Sequence, residues 1–160
     1  MNPSDFHTPA EYQAALEQVI AAARHSIRIH DRNLEAGGFN ASELYERLRG
    51  FCLTGAGQRI EILLDDTAYV RKQCPRLATL LRDFSHVVEI RVTEAGSARP
   101  DYGFAVADRH AMLKRFDKDA TRGQFDLDDP ASAVLLYQQF DQLWQRASAG
   151  VAATTLGLGG

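Results

Sequence analysis

The chain is poor in cysteine, has no long apolar run and carries no surplus of positive charge. Of its 160 residues, only Cys52 and Cys74 are cysteines. They are too few for a disulfide framework and too far apart for a CxxC metal knuckle, so they read as reduced, buried thiols. No apolar stretch approaches the roughly 20 residues of a membrane span. The opening MNPSDFHTPAEY lacks the basic and apolar regions of a secretory signal. The expectation is a cytoplasmic protein with no membrane partner. Lys and Arg number 18 against 21 Asp and Glu, a net charge of −3. Displacing counterions from nucleic acid needs a basic footprint, so non-specific nucleic-acid binding is disfavoured. A Walker A loop, GxGxxG, HExxH and GxSxG are all absent. No cofactor and no metal site is predicted. Asp117, Asp119, Asp126, Asp128 and Asp129 resemble a calcium loop in composition only, because the glycine and closing glutamate of that loop are missing.

What is present is ordinary for one soluble domain: 45% apolar and 24% charged residues. The pattern predicts a single domain over 1–150 and a small, Gly-rich, flexible tail over 151–160. Residues 1–7 read as a loose arm. Thr8-Pro9-Ala10-Glu11 then combines an N-cap, a first-turn proline and a capping-box glutamate, starting a helix that runs to near His25. Ser26–His30 alternates and reads as a strand, followed by a polar loop, Asp31–Asn40, anchored by Leu34 and Phe39. Asn40 or Ser42 caps a second helix carrying Leu44, Leu48 and Phe51. Arg59–Leu64 is a strand stopped by Asp65-Asp66. After a short helical piece, Pro75 opens a helix with Leu77, Leu80, Leu81 and Phe84. Val87–Val92 is a strand and Glu94–Asp101 a surface loop. Asp117–Asp129 reads as loop. Asp128 or Asp129 with Pro130 starts a last helix bearing Phe140, Leu143 and Trp144 as core.

The stretch Tyr102–Phe116 reads as two strands joined by the turn Asp108-Arg109-His110. The first strand is apolar throughout, as in a strand buried on both faces. In the second, Lys114-Arg115 reads as a solvated basic pair. Alternating strands and helices predict a mostly parallel sheet covered by helices. In such sheets ligands bind beyond the carboxyl ends of the strands. His30, Asp31 and Arg32 follow one strand and Asp65-Asp66 ends the next, so these groups can meet across one edge. Arg32 has the geometry to take a phosphate or carboxylate bidentately. His110 and His30 are the candidate acids or nucleophiles, since histidine titrates near neutral pH. The bland alternative makes all of these loop, turn and cap residues.

From about residue 10 to 147, the element order resembles one half of a phospholipase D superfamily fold, an α/β/α sandwich with a C-terminal hairpin plus helix. The family motif His-x-Lys-x4-Asp lies on the first strand of that hairpin. Here it reads Asp101-x-Gly103-x4-Asp108. With HDRNLE after the first strand and FDQLW in the last helix, the chain looks like a bacterial branch of phospholipase D-like domains rather than like the active enzymes. There a histidine attacks phosphorus and a lysine holds the phosphate oxygens, and neither is present at its place. The resemblance implies a catalytically inactive binding or regulatory module. It also implies a symmetric homodimer, with the Tyr102–Asp108 strands facing across the axis. The ligand would be a phosphorylated small molecule or a protein, held by Asp31, Arg32, Asp101, Asp108 and Arg109. The alternative is a phosphodiesterase or nuclease that rebuilt its site from His30, Asp108 and His110. A third reading is an interaction protein that docks through its tail or its Phe39 loop.

Overall fold

Thr8 starts the first helix as its sequence predicts. Its hydroxyl accepts from the Glu11 N–H at 3.1 Å, and Glu11 Oε1 accepts from the Thr8 N–H at 3.2 Å. The closed capping box, with Pro9 in the first turn, sets helix α1 (Pro9–Ala21), which buries Tyr12, Leu16, Val19 and Ile20. The computed structural model describes residues 4–55, 57–94, 96 and 99–151. Strand β2 (Ser26–Asp31) follows α1, and helix α2 (Ser42–Cys52) leads to β3 (Arg59–Leu64). Helices α3 (Ala68–Gln73) and α4 (Pro75–Asp83) lead to β4 (Val88–Val92). The hairpin β5 (Gly103–Ala107) and β6 (Ala111–Arg115) turns at 108–110, where the sequence puts it. Neither Asn40 nor Ser42 caps α2. Its N-cap is Ala41 without a side-chain bond, and Asn40 Oδ1 accepts from the Arg76 N–H at the start of α4.

Three strands lie where none was predicted. Strand β1 (Ser4–Phe6) occupies the supposed loose arm and pairs antiparallel with β7 (Gly123–Asp126), itself inside the supposed acidic loop. After helix α5 (Pro130–Arg146), strand β8 (Ser148–Val151) runs back along β4. The predicted tail beyond Val151 lies outside the described residues.

Among the described residues, eight strands form one sheet in the order β1-β7-β6-β5-β2-β3-β4-β8. Only β2·β3 and β3·β4 are parallel, and the remaining pairings are antiparallel. The expected mostly parallel sheet is therefore mostly antiparallel. Helical crossovers carry the chain between the parallel neighbours β2, β3 and β4, whereas β5 returns along β2, β6 and β7 follow as antiparallel neighbours, and β1 and β8 add to the edges. The sandwich itself is as expected. Helices α1, α2 and α4 cover one face, over Ile27, Ile29, Ile60, Ile62 and Ile90. Helix α5 covers the other, setting Phe140 and Trp144 over Leu63, Phe104 and Val106. β5 is buried along its whole length and flanked by β6 and β2. It has no free edge along which a symmetry mate could pair. Phe39 is 1% exposed. It anchors its loop, as expected, and presents no docking surface of its own.

Candidate functional site

The direction of β5 decides where the chemistry lies. It runs antiparallel to β2, with Ile27 opposite Ala107 and His30 opposite Phe104. The end of β2 therefore meets the start of β5, at Asp101 and Gly103. The turn Asp108-Arg109-His110 lies at the far end, beside Ser26. A five-residue strand separates the two groups by about 16 Å. The rebuilt centre of His30, Asp108 and His110 is thus divided between opposite ends of the sheet. The five candidate ligand residues divide likewise: Asp31, Arg32 and Asp101 at one end, Asp108 and Arg109 at the other.

At the first end, alternation along β2 sends His30 toward α5 and Asp31 toward α1. Asp31 is sealed against Arg115. Arg115 Nη2 donates to Asp31 Oδ1, both side chains are 3% exposed, and Asp31 Oδ2 accepts from the Leu34 N–H at 3.2 Å. Burial pushes the Asp31 carboxyl up, against the pull of Arg115 and the N–H groups of Arg32 and Leu34. Arg115, expected at the surface, is buried because it continues the inward face set by Ala111 and Leu113. A second buried pair stands beside the first. Lys118 Nζ donates to Asp65 Oδ2 at 2.7 Å, and Asp65 Oδ1 accepts from Thr93 Oγ1 at 3.0 Å. Asp65 thus does meet the end of β2, its N–H donating to the Arg32 carbonyl at 3.0 Å, while its carboxylate is held by Lys118, which the sequence reading missed. At the rim, Arg32 makes a bidentate pair with Asp119, at 2.8 and 3.1 Å, so its fork is already occupied. Arg32, Asn33, Arg115, Lys118 and Asp119 line a cavity of about 260 Å³.

His30 has no exposed surface. Its Nδ1 lies 3.0 Å from the Leu63 carbonyl, which can only accept, so that nitrogen carries the proton. Burial, helped by the charge of Lys118, lowers its pKa to about 4. The ring is neutral at pH 7, and Nε2 is a buried lone pair with no hydrogen-bond partner among the described residues. At the motif positions, Asp101 is exposed. Gly103 is hemmed in: a Cβ there would stand 3.2 Å from the His30 carbonyl oxygen and 3.3 Å from Asp31 Oδ1, with Arg115 Nε at 3.9 Å. The Asp31–Arg115 pair fills the space into which a side chain at 103 would grow.

At the far end, Asp108 acts as a staple. Its Oδ1 accepts from the N–H groups of His25 and Ser26, at 2.9 and 3.0 Å, and its Oδ2 from that of Arg24 at 3.0 Å. It does so with φ of +53°, a left-handed conformation that aspartate tolerates better than most residues. Burial raises its pKa, but the N–H groups of Ser26, His25 and Arg24, with the charge of His110, outweigh that and hold the carboxyl below its usual range. The acidic segment works as turns and a cap. Asp117 accepts from the Asp119 N–H, Asp126 from that of Asp128, and Asp129 from that of Ser132 at the start of α5. Among the described residues, no three His, Cys, Asp or Glu side chains converge as metal ligands. Cys52 and Cys74 are free and buried, and burial pushes both thiols up to about 11. Among the described residues, no helix is long and apolar enough to cross a membrane.

A family profile described as a domain of unknown function, DUF7931, matches residues 8–153. The chain belongs to the DUF7931 family. No curated protein matches it. Among solved structures, this DUF7931 domain is similar to Nuc of Salmonella typhimurium, a phospholipase D family member, with a TM-score of 0.66 and 13% identity over 94% of this chain and 100% of that one. NucT of Helicobacter pylori gives 0.59 and 14%, over 93% and 99%. TrmBL2, an archaeal chromatin protein with a novel mode of DNA binding, gives 0.65 and 14%, over 94% of this chain. The chain spans only 55% of TrmBL2, and 40% of the phosphatidylserine synthase of Haemophilus influenzae, which it also resembles. Identities this low speak to fold alone. The DUF7931 domain has the phospholipase D-like fold.

Proposed function

We propose that the domain is a catalytically inactive phospholipase D-like binding or regulatory module that works as a homodimer. The observation that carries this reading is the plugging of position 103. Where the resemblance expects a phosphate-holding lysine there is a glycine, and the Asp31–Arg115 pair fills the adjoining space. The nearby cations are spoken for, Arg115 by Asp31, Lys118 by Asp65 and Arg32 by Asp119. His30 is sealed, and His110 stands at the wrong end to assist it. The domain keeps the scaffold and has exchanged the reacting groups for a closed network of ion pairs. Its ligand, a phosphorylated small molecule or a protein, would meet the rim of the 260 Å³ cavity. An apolar groove beside that end suits the dimer: Tyr102, Phe116, Leu135 and Leu136 line it, with Phe116 47% and Leu135 67% exposed.

A rebuilt phosphodiesterase remains the competing reading, favoured by one feature, the unpaired Nε2 of His30 beside Lys118. Hydrolysis of bis(4-nitrophenyl) phosphate decides between them, run with and without chelator on the wild type, His30→Ala and His110→Ala. The expected result is no turnover above buffer from a folded protein whose mass in light scattering is twice 17.7 kDa. Turnover abolished by either substitution would overturn the inactive reading, and a monomer would overturn the dimer.

A further inference from the structure

The geometry points to a second ligand site at the end of the sheet opposite the motif positions: a pocket for a phosphate group, bound by Arg24 and Arg109 over the ring of Tyr137. A cavity of about 500 Å³ opens there, lined by Arg24, His25, Asp108, Arg109, His110 and Tyr137. Three separate stretches of chain build it: the link from α1 to β2, the β5–β6 turn, and α5. The site goes beyond the reading above and does not depend on it, because it would exist whether the other end is inert or active.

Charge accounting sets this pocket apart from the opposite end. There each of the four cations meets a carboxylate, Arg99 sharing Asp65 with Lys118. Here, among the described residues, neither Arg24 nor Arg109 has a side-chain ion pair. The single carboxylate in the lining, Asp108, is engaged through both oxygens by three backbone N–H groups. That arrangement is itself informative. Three consecutive N–H groups converging on the aspartate satisfy its charge locally, so it does not compete for the arginine side chains beside it. A helix C-terminus accounts for basic residues at Arg24 and His25, just past α1, but not for Arg109 and His110 on a strand turn.

Arg109 is held ready for a ligand. Its guanidinium lies 4.6 Å from the centroid of Tyr137. This contact uses none of the guanidinium N–H groups, and among the described residues no side-chain hydrogen bond or ion pair takes them up, which leaves the fork that grips a phosphate through two bonds. Tyr137 is itself fixed, since Arg28 lies 3.7 Å from its ring centroid and is tied to Glu61 at 3.0 Å. A tetrahedral dianion suits two guanidinium groups approaching from different segments better than a single carboxylate does. The phosphate can be carried by a small phosphomonoester or by a nucleic-acid backbone.

Calorimetric titrations in phosphate-free buffer of low ionic strength test this, using inorganic phosphate, adenosine 5′-monophosphate and a short single-stranded oligodeoxynucleotide. The wild type is compared with Arg24→Ala, Arg109→Ala, Arg109→Lys, Arg32→Ala at the opposite end of the sheet, and Arg47→Ala as a charge control on α2. All are exposed positions, and circular dichroism verifies the fold. The expected result is binding of at least one probe that weakens about tenfold or more in Arg24→Ala and in Arg109→Ala. Arg109→Lys falls between, and Arg47→Ala matches the wild type. Binding of phosphate or the mononucleotide names the free phosphomonoester as the source, and binding of the oligonucleotide alone names the backbone. The proposal is overturned if no probe binds, if Arg47→Ala weakens binding as much as Arg109→Ala, or if Arg32→Ala abolishes binding while Arg24→Ala and Arg109→Ala do not.

Discussion

His30 shows most plainly how one residue ties the cluster to the stability of the whole. Its folded pKa is about 4 against an ordinary 6.5, because burial and Lys118 both disfavour the imidazolium. Between those values the unfolded chain binds a proton that the folded chain does not. Stability is therefore complete above about pH 6.5 and falls as the pH drops toward 4. From pH 7 to pH 5 this group alone should cost about 2 kcal/mol. His30→Gln keeps a donor for the Leu63 carbonyl but has no proton to take up in that range. Urea denaturation at both pH values should show the wild type losing about 2 kcal/mol more than the variant. The raised carboxyl of Asp31 is common to both proteins and cancels in the comparison. Equal losses would mean that His30 is not held neutral, and the sealed-imidazole argument would fail with it.

Among the elements, the short strands are where sequence and structure part company, and β7 shows why. It is four residues long, too short for alternation to register, and exists because β6 and β1 pair on either side of it. Gly123 is what lets that happen. A Cβ there would lie 2.1 Å from the Lys114 carbonyl oxygen, 2.4 Å from Phe6 Cζ and 2.9 Å from Arg115 Cα, and two of those are backbone. Gly123→Ala should therefore destabilise the protein by about 1–3 kcal/mol, through displacement of β1 and of the Arg115 backbone. A denaturation midpoint indistinguishable from wild type would show that the β1–β7 edge adds little. The longer elements were legible because each carries its own signal: the Thr8 box, the β-branched alternation of β2 and β3, the turn at Asp108. Arg115 was legible too, at the next inward position after Ala111 and Leu113, but reading it as half of a basic pair hid that. Lys118 carried no such sign, because a loop has no periodicity to read. The gathering of His30 and His110 into one site failed for a topological reason. In a parallel sheet, Asp108 and His110 would have stood beside Asp31, and the antiparallel pairing of β5 sends them to the far end.

At the scale of the whole molecule, one end of the sheet is a packed unit in which the Asp31–Arg115 and Asp65–Lys118 pairs occupy the space around position 103. Asp101→His with Gly103→Lys writes the family motif back into the sequence, and the expectation is that it restores nothing. The new Cβ at 103 meets the His30 carbonyl oxygen at 3.2 Å and Asp31 Oδ1 at 3.3 Å, so those neighbours must give before the lysine chain can pass. The ammonium would then compete with Arg115 for Asp31, in a site where Lys118 already supplies a buried positive charge. Three cations against two carboxylates in a closed environment is costly, and losing a partner from a buried pair costs roughly 3–5 kcal/mol. The double variant should unfold at lower urea, by about 2–4 kcal/mol, and hydrolyse no phosphodiester. Removing Arg115 as well would relieve the crowding but leave the contacts of its guanidinium with Asp31 and the Tyr12 ring unfilled. The changes would therefore have to spread from β5 to β6 and β2 before a phosphate could be held. A stable double variant that cleaves bis(4-nitrophenyl) phosphate would sink this argument. It would show that the Asp31–Arg115 pair yields its space readily, and that the domain stands two substitutions from catalysis.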